Sequence, residues 1–83
     1  MSLVEKIKEA MKENKIVYGY REVLKFIRNN NVELVILANN APEKIKKTIL
    51  NSNIKVEIFE EGSKKMGTIC GKPYPISVIA IKA

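Results

Sequence analysis

Every carboxylate side chain in this chain is a glutamate, and histidine is absent altogether. Acid–base catalysis near neutral pH leans on a group that titrates there, and histidine is the side chain whose ordinary pKa does so. Glu22, Glu33, Glu57, Glu60 and Glu61 could include a carboxylate pair, and Ser63 or Cys70 could serve as nucleophiles. No imidazole is at hand to take their protons or to orient a base, although lysine can substitute. The single cysteine cannot close an internal disulfide, and it offers one thiolate where a structural zinc takes four ligands. Beside Ile69, Cys70 reads as a small packing residue. These residues point away from an enzyme, a metal centre and a bound cofactor.

Gly67-Thr68-Ile69-Cys70-Gly71-Lys72 has the outline of a glycine-rich phosphate cradle. It departs from G-x-x-x-x-G-K-[ST], because Gly67 stands only four residues before Gly71 and Pro73 replaces the hydroxyl residue that would meet magnesium. The two glycines instead permit close approach of the backbone to a neighbouring helix or to a ligand.

Fifteen Lys and Arg against nine Glu give a net charge of +6. Such a field draws polyanions and speeds encounter with them, which makes nucleic acid the natural partner. Charge of about 2 to 8 also serves solubility alone, so its placement has to decide between the two.

The elements that must place these residues can be read from periodicity. Leu3, Ile7, Ala10 and Met11 recur at helical spacing from Ser2, a capping residue, to about Asn14. Ile16-Val17-Tyr18 is a short strand, and Gly19 turns it into a helix from Tyr20 to about Asn30. On that helix Tyr20, Val23, Leu24 and Ile27 share one side, while Arg21, Lys25 and Arg28 form a cationic stripe on another. Glu33 to Ala38 is nearly continuous apolar sequence, as in a central strand covered on both faces. Asn39-Asn40-Ala41-Pro42 ends it, and a third helix runs from about Pro42 to Asn51. Ile54, Val56 and Ile58 alternate with Lys55, Glu57 and Phe59 as a further strand. Ser63 as cap and Gly71 as stop bracket a short fourth helix, Lys72 to Pro75 is extended, and Ile76 to Ile81 forms the last strand. This βα alternation predicts a single α/β domain over residues 1–83, with a four-stranded sheet between layers of helices. No apolar run approaches the roughly 18 to 20 residues that cross a bilayer, and charge at Glu5 and Lys6 interrupts any secretory leader, so a cytoplasmic protein without a membrane partner is expected.

With ordinary α/β connectivity, three turns converge where strands end and helices begin: Gly19 to Glu22, Asn39 to Pro42, and Gly62 to Tyr74. Together they offer backbone amides and Arg21 for phosphates, Glu22 and Asn40 for base edges, and Tyr74 for a splayed base. Each has a plainer reading: Gly19 as a turn glycine, Asn40 as a helix cap, Lys64 and Lys65 as a solvated pair, and Tyr74 as the rim of the core.

Three segments carry a family likeness. Gly19-Tyr20-Arg21-Glu22-Val23-Leu24-Lys25, Leu34 to Pro42 and Met66 to Val78 resemble, in order, the archaeal and eukaryotic ribosomal protein L-thirty-e family, within the kink-turn-binding L-seven-Ae superfamily. The resemblance implies a three-layer α-β-α sandwich with a mixed sheet. Its function would be that of a large-subunit ribosomal protein, monomeric when free, that holds rRNA containing a kink-turn, a sharply bent helix with tandem sheared G·A pairs. Neighbouring ribosomal proteins would be further partners. Carried over by position, Gly19, Tyr20, Arg21 and Glu22 would meet the kinked backbone and the G·A guanines, Lys25 the phosphates, and Asn40, with Asn39 beside it, a base edge. Lys64, Lys65, Met66 and Gly67 would pack on a flipped-out nucleotide, with Gly71, Lys72 and the stacking ring of Tyr74 alongside. Where the family commonly carries an acid before the Gly-Thr pair, this chain has Lys65, which implies phosphate contact there.

Overall fold

The computed structural model describes residues 2–83. Its elements are α1 (Leu3–Lys12), β1 (Ile16–Tyr18), α2 (Tyr20–Asn29), β2 (Val32–Ala38), α3 (Glu43–Leu50), β3 (Val56–Phe59), α4 (Gly62–Ile69) and β4 (Val78–Lys82). Ser2 caps α1 as its position predicts, accepting the Glu5 N–H on Oγ at 3.2 Å. The turn after α1 passes through Asn14 at φ +59°, a left-handed conformation that asparagine tolerates better than most residues.

The four strands form one mixed sheet in the order β1-β4-β2-β3. Strand β4 lies antiparallel to β1 and β2, while β2 and β3 are parallel. Alternation along the inner strands splits the core into two layers. Leu34, Ile36 and Ala38 of β2, with Ile79 and Ile81 of β4, pack against Ile7 and Ala10 of α1 and Met66 of α4. Val35, Leu37, Val78 and Ala80 face the other way, against Val23 of α2 and Ile49 of α3. A side chain such as Ile36, fully buried, contributes about 1.5 to 3 kcal/mol relative to exposure. The result is the three-layer α-β-α sandwich expected from the chain's periodicity, with β2 covered on both faces.

Some local expectations are corrected. The third strand is confined to Val56–Phe59, and Ile58 stays 38% exposed because β3 is an edge strand. Ser63 does not cap α4; it sits inside the first turn, after Glu61, whose side chain makes no capping bond. Pro42 rather than an asparagine occupies the N-cap position of α3. At the other end of α4, Gly71 does stop the helix: at φ +72° it lets its own N–H reach the Thr68 carbonyl at 3.0 Å and the Lys72 N–H reach that of Gly67 at 2.9 Å.

Candidate nucleic-acid interface

One edge of the sheet gathers the ends of all four strands. Tyr18 of β1 pairs with Ile79, Ala38 of β2 with Phe59, and Val78, where β4 begins, with Leu37. Backbone hydrogen bonds carry the register into the loops beyond. The Gly19 N–H donates to Val78 at 3.1 Å, that of Ala38 to Ser77 at 2.8 Å, that of Asn39 to Phe59 at 3.0 Å, and that of Ile76 to Ser63 at 3.0 Å. Loops far apart in sequence are thereby sewn into a single rim, which holds Arg21, Asn40 and Tyr74 at one end of the molecule.

Gly19 is the N-cap of α2 at φ +85° with no side-chain cap, and a Cβ placed there would meet nothing within 4 Å. The backbone conformation, rather than space, makes glycine the residue that fits. Uncapped amides at the start of α2 and the exposed Arg21 form a ready anion site, and Glu22 and Lys25 are exposed beside it.

The second loop is organised by its asparagines. Asn39 Nδ2 donates to the Glu60 carbonyl at 2.7 Å, and Asn40 Oδ1 accepts the Ser63 N–H at 2.9 Å. The Asn40 side chain therefore caps α4 across space, and its Nδ2 has no partner among the described residues. Lys46 is tied down as well, its Nζ donating to the Asn39 carbonyl at 2.7 Å.

The third segment divides between core and surface. Met66, expected at the RNA, is completely buried in the α1–α4 layer, because helical spacing turns it inward while Lys64 and Lys65 stay exposed. Gly67 is buried too, and a Cβ there would overlap the Tyr74 carbonyl oxygen and approach Pro75 Cα to 3.3 Å. Its bareness serves the approach of α4 to the loop that carries Tyr74, where a neighbouring helix or a ligand was expected. Gly71 is exposed, and a Cβ there would find nothing within 4 Å. Tyr74 is 54% exposed.

Between the start of α2 and residues 74–77 runs a groove of about 250 Å³, lined also by Tyr18 and Ile45. Tyr18, Ile45 and Ser77 had no place in the motif-based set; Tyr18 adjoins Gly19, but the bond from Ala38 brings Ser77 there and the packing of α3 on the sheet brings Ile45. Lys72 holds its Nζ 4.8 Å above the Tyr18 ring, which fixes a cation at the groove's margin. Burial, with smaller contributions from Cys70 and Tyr74, raises the Tyr18 pKa. Burial likewise raises that of the Cys70 thiol, partly offset by Lys72. A larger cleft, about 370 Å³, lies toward the opposite end of the sheet around Lys6, Glu9, Glu13, Lys15, Glu33 and Lys82, where charges of both signs mix.

Comparison with known proteins concerns the chain and its fold. The chain is 34% identical to large ribosomal subunit protein eL30 of Methanosarcina mazei over 88% of its own length and 71% of that protein. It is also 34% identical to eL30 of Methanosphaera stadtmanae, over 99% of this chain and 88% of the relative. A protein with unknown function from Bacillus halodurans superposes with a TM-score of 0.85 at 26% identity, covering 96% of this chain and 83% of that one. The Giardia lamblia 15.5kD RNA binding protein does so with a TM-score of 0.76 at 25% identity, over 98% and 71% respectively. A family model, described as Ribosomal protein L7Ae/L30e/S12e/Gadd45 family, matches residues 1–83, and the chain belongs to that family.

Proposed function

We propose that this protein is a structural constituent of the large ribosomal subunit that binds and stabilises rRNA bent as a kink-turn, with no reaction of its own. The observation that carries the reading is the rim, where the uncapped start of α2 with Arg21, the free amide nitrogen of Asn40 and the exposed ring of Tyr74 meet. A bent RNA presents phosphates, base edges and a splayed base within one short span, and these groups answer each of them. Arg21, Lys25, Lys64, Lys65 and Lys72 supply the phosphate contacts, Glu22 and Asn40 the base edges, and Tyr74 the stacking surface. The backbone of Gly19 and Gly71 allows close approach, and Tyr20 borders the same groove. Asn39, Met66 and Gly67 act from beneath, as clamp and packing.

Both eL30 relatives named above are ribosomal subunit proteins, which favours the ribosome in the cytoplasm, among neighbouring ribosomal proteins, over a stand-alone adaptor. In this reading the free protein is a monomer and needs no cofactor. The decisive experiment titrates a kink-turn RNA against the same RNA with its G·A pairs replaced. Preference for the intact bend supports the reading, and equal affinity reduces the protein to generic basic adhesion.

A further inference from the structure

The cationic stripe of α2 continues past the rim, and the bent RNA does not account for its far end. Helices α2 and α3 cover the same face of the sheet, with Val23 and Ile49 in one buried cluster. Beyond their first turns neither contains an acid, whereas Lys25, Arg28, Lys44 and Lys47 are all exposed. The opposite layer is built differently. Helix α1 alternates Glu5, Lys8, Glu9 and Lys12, so that opposite charges fall three residues apart.

On α2 Arg21 and Lys25 stand four residues apart and Lys25 and Arg28 three apart, and on α3 Lys44 and Lys47 stand three apart; against these like pairs each helix sets one acid, Glu22 three residues before Lys25 and Glu43 four before Lys47. Like charges at these spacings oppose helix formation. None of the four enters an ion pair among the described residues, where the one salt bridge is Lys6 to Glu57 at 3.6 Å on the other face. Attraction to the helix C-terminus accounts for the positions of Arg28 and Lys47, and Glu22 stands three residues before Lys25, yet Lys44 has neither and the two helices together keep a cationic excess. A polyanion laid along both helices relieves all of these repulsions together.

We infer that the outer face of α2 and α3 is a second RNA surface, blind to sequence, that takes the phosphate backbone of a duplex stem running on from the bend. The inference rests on the bent-RNA reading and extends it. From Arg21 to Arg28 the helix advances about 10 Å, over which a duplex presents about six phosphates. Arg28 and Lys47 belong to this surface alone.

The test measures affinity against salt for kink-turn RNAs whose stems are short, or are lengthened one at a time. For the wild-type protein, lengthening one stem should steepen the slope of log affinity against log salt by about 2, at roughly 0.9 per phosphate neutralised. In the Arg28→Gln/Lys47→Gln double variant, which keeps Lys44, most of that increment should be lost while binding of the short-stem RNA holds. Equal slopes for short and long stems in the wild type, or an increment that largely survives in the double variant, overturns the stem surface and leaves the bend reading standing. A short-stem RNA bound no better than its G·A-replaced counterpart overturns the bend reading and the stem surface with it. Circular dichroism of the double variant establishes that its fold is intact.

Discussion

Asn40, in the loop after β2, caps helix α4 twenty-three residues further along the chain by accepting the Ser63 N–H on its amide oxygen at 2.9 Å. The bond joins two loops of the proposed RNA rim and orients the amide, whose nitrogen is left to donate outward. Replacing Asn40 should therefore separate two roles. Asn40→Ala should lower stability by about 1 kcal/mol, the usual worth of a helix cap, and should weaken RNA as well. Asn40→Asp retains an acceptor for Ser63 and places a negative oxygen where the donor was. Denaturant melts should show it as stable as the parent, while titration shows weaker RNA binding.

Gly67 lies so close to the Tyr74 carbonyl that no side chain fits between them. Gly67→Ala must push α4 away from the loop of Tyr74 and Pro75, against backbone that has little room to give. The cost should be about 1 to 3 kcal/mol or more in equilibrium unfolding. RNA affinity should fall as well, because Tyr74 moves with the displaced segment.

Arg21→Ala and Tyr74→Ala should leave the melting profile nearly unchanged, since both side chains are exposed. Each should weaken kink-turn binding, Tyr74→Ala by about 1 to 3 kcal/mol if a base stacks on the ring. Full binding by a folded Tyr74→Ala protein would return that ring to the rim of the core. Met66→Ala should do the reverse, costing about 2 to 5 kcal/mol of stability through the cavity it opens.

Stability should fall in alkali. Burial raises the pKa of the Cys70 thiol above its ordinary value of 9.0. The folded state thus holds the proton more tightly than the unfolded chain does. The stability this brings is complete below the unfolded value and disappears as pH rises through the folded one. Tyr18 acts in the same sense above 10.0. Melting temperatures followed from neutral pH into this range should decline, and Cys70→Ala should decline less steeply. An identical decline in the two proteins would remove Cys70 from this account.

The layered fold was legible from the order of residues, because apolar periods of two and of about 3.6 are local properties that name an element and its buried side. The nearly continuous apolar run from Glu33 to Ala38 already implied a strand covered on both faces, and Ser2 and Gly71 marked their helix ends correctly. Motifs likewise singled out Gly19, Arg21, Asn40 and Tyr74. Partners across space were not legible, since they depend on strand register and on how closely backbones pass. Nothing adjacent to Asn40 announces that it caps α4 rather than α3, and nothing beside Gly67 announces the Tyr74 carbonyl. Met66 passed for a surface residue because a motif records positions, whereas burial is settled by the layer that closes over them.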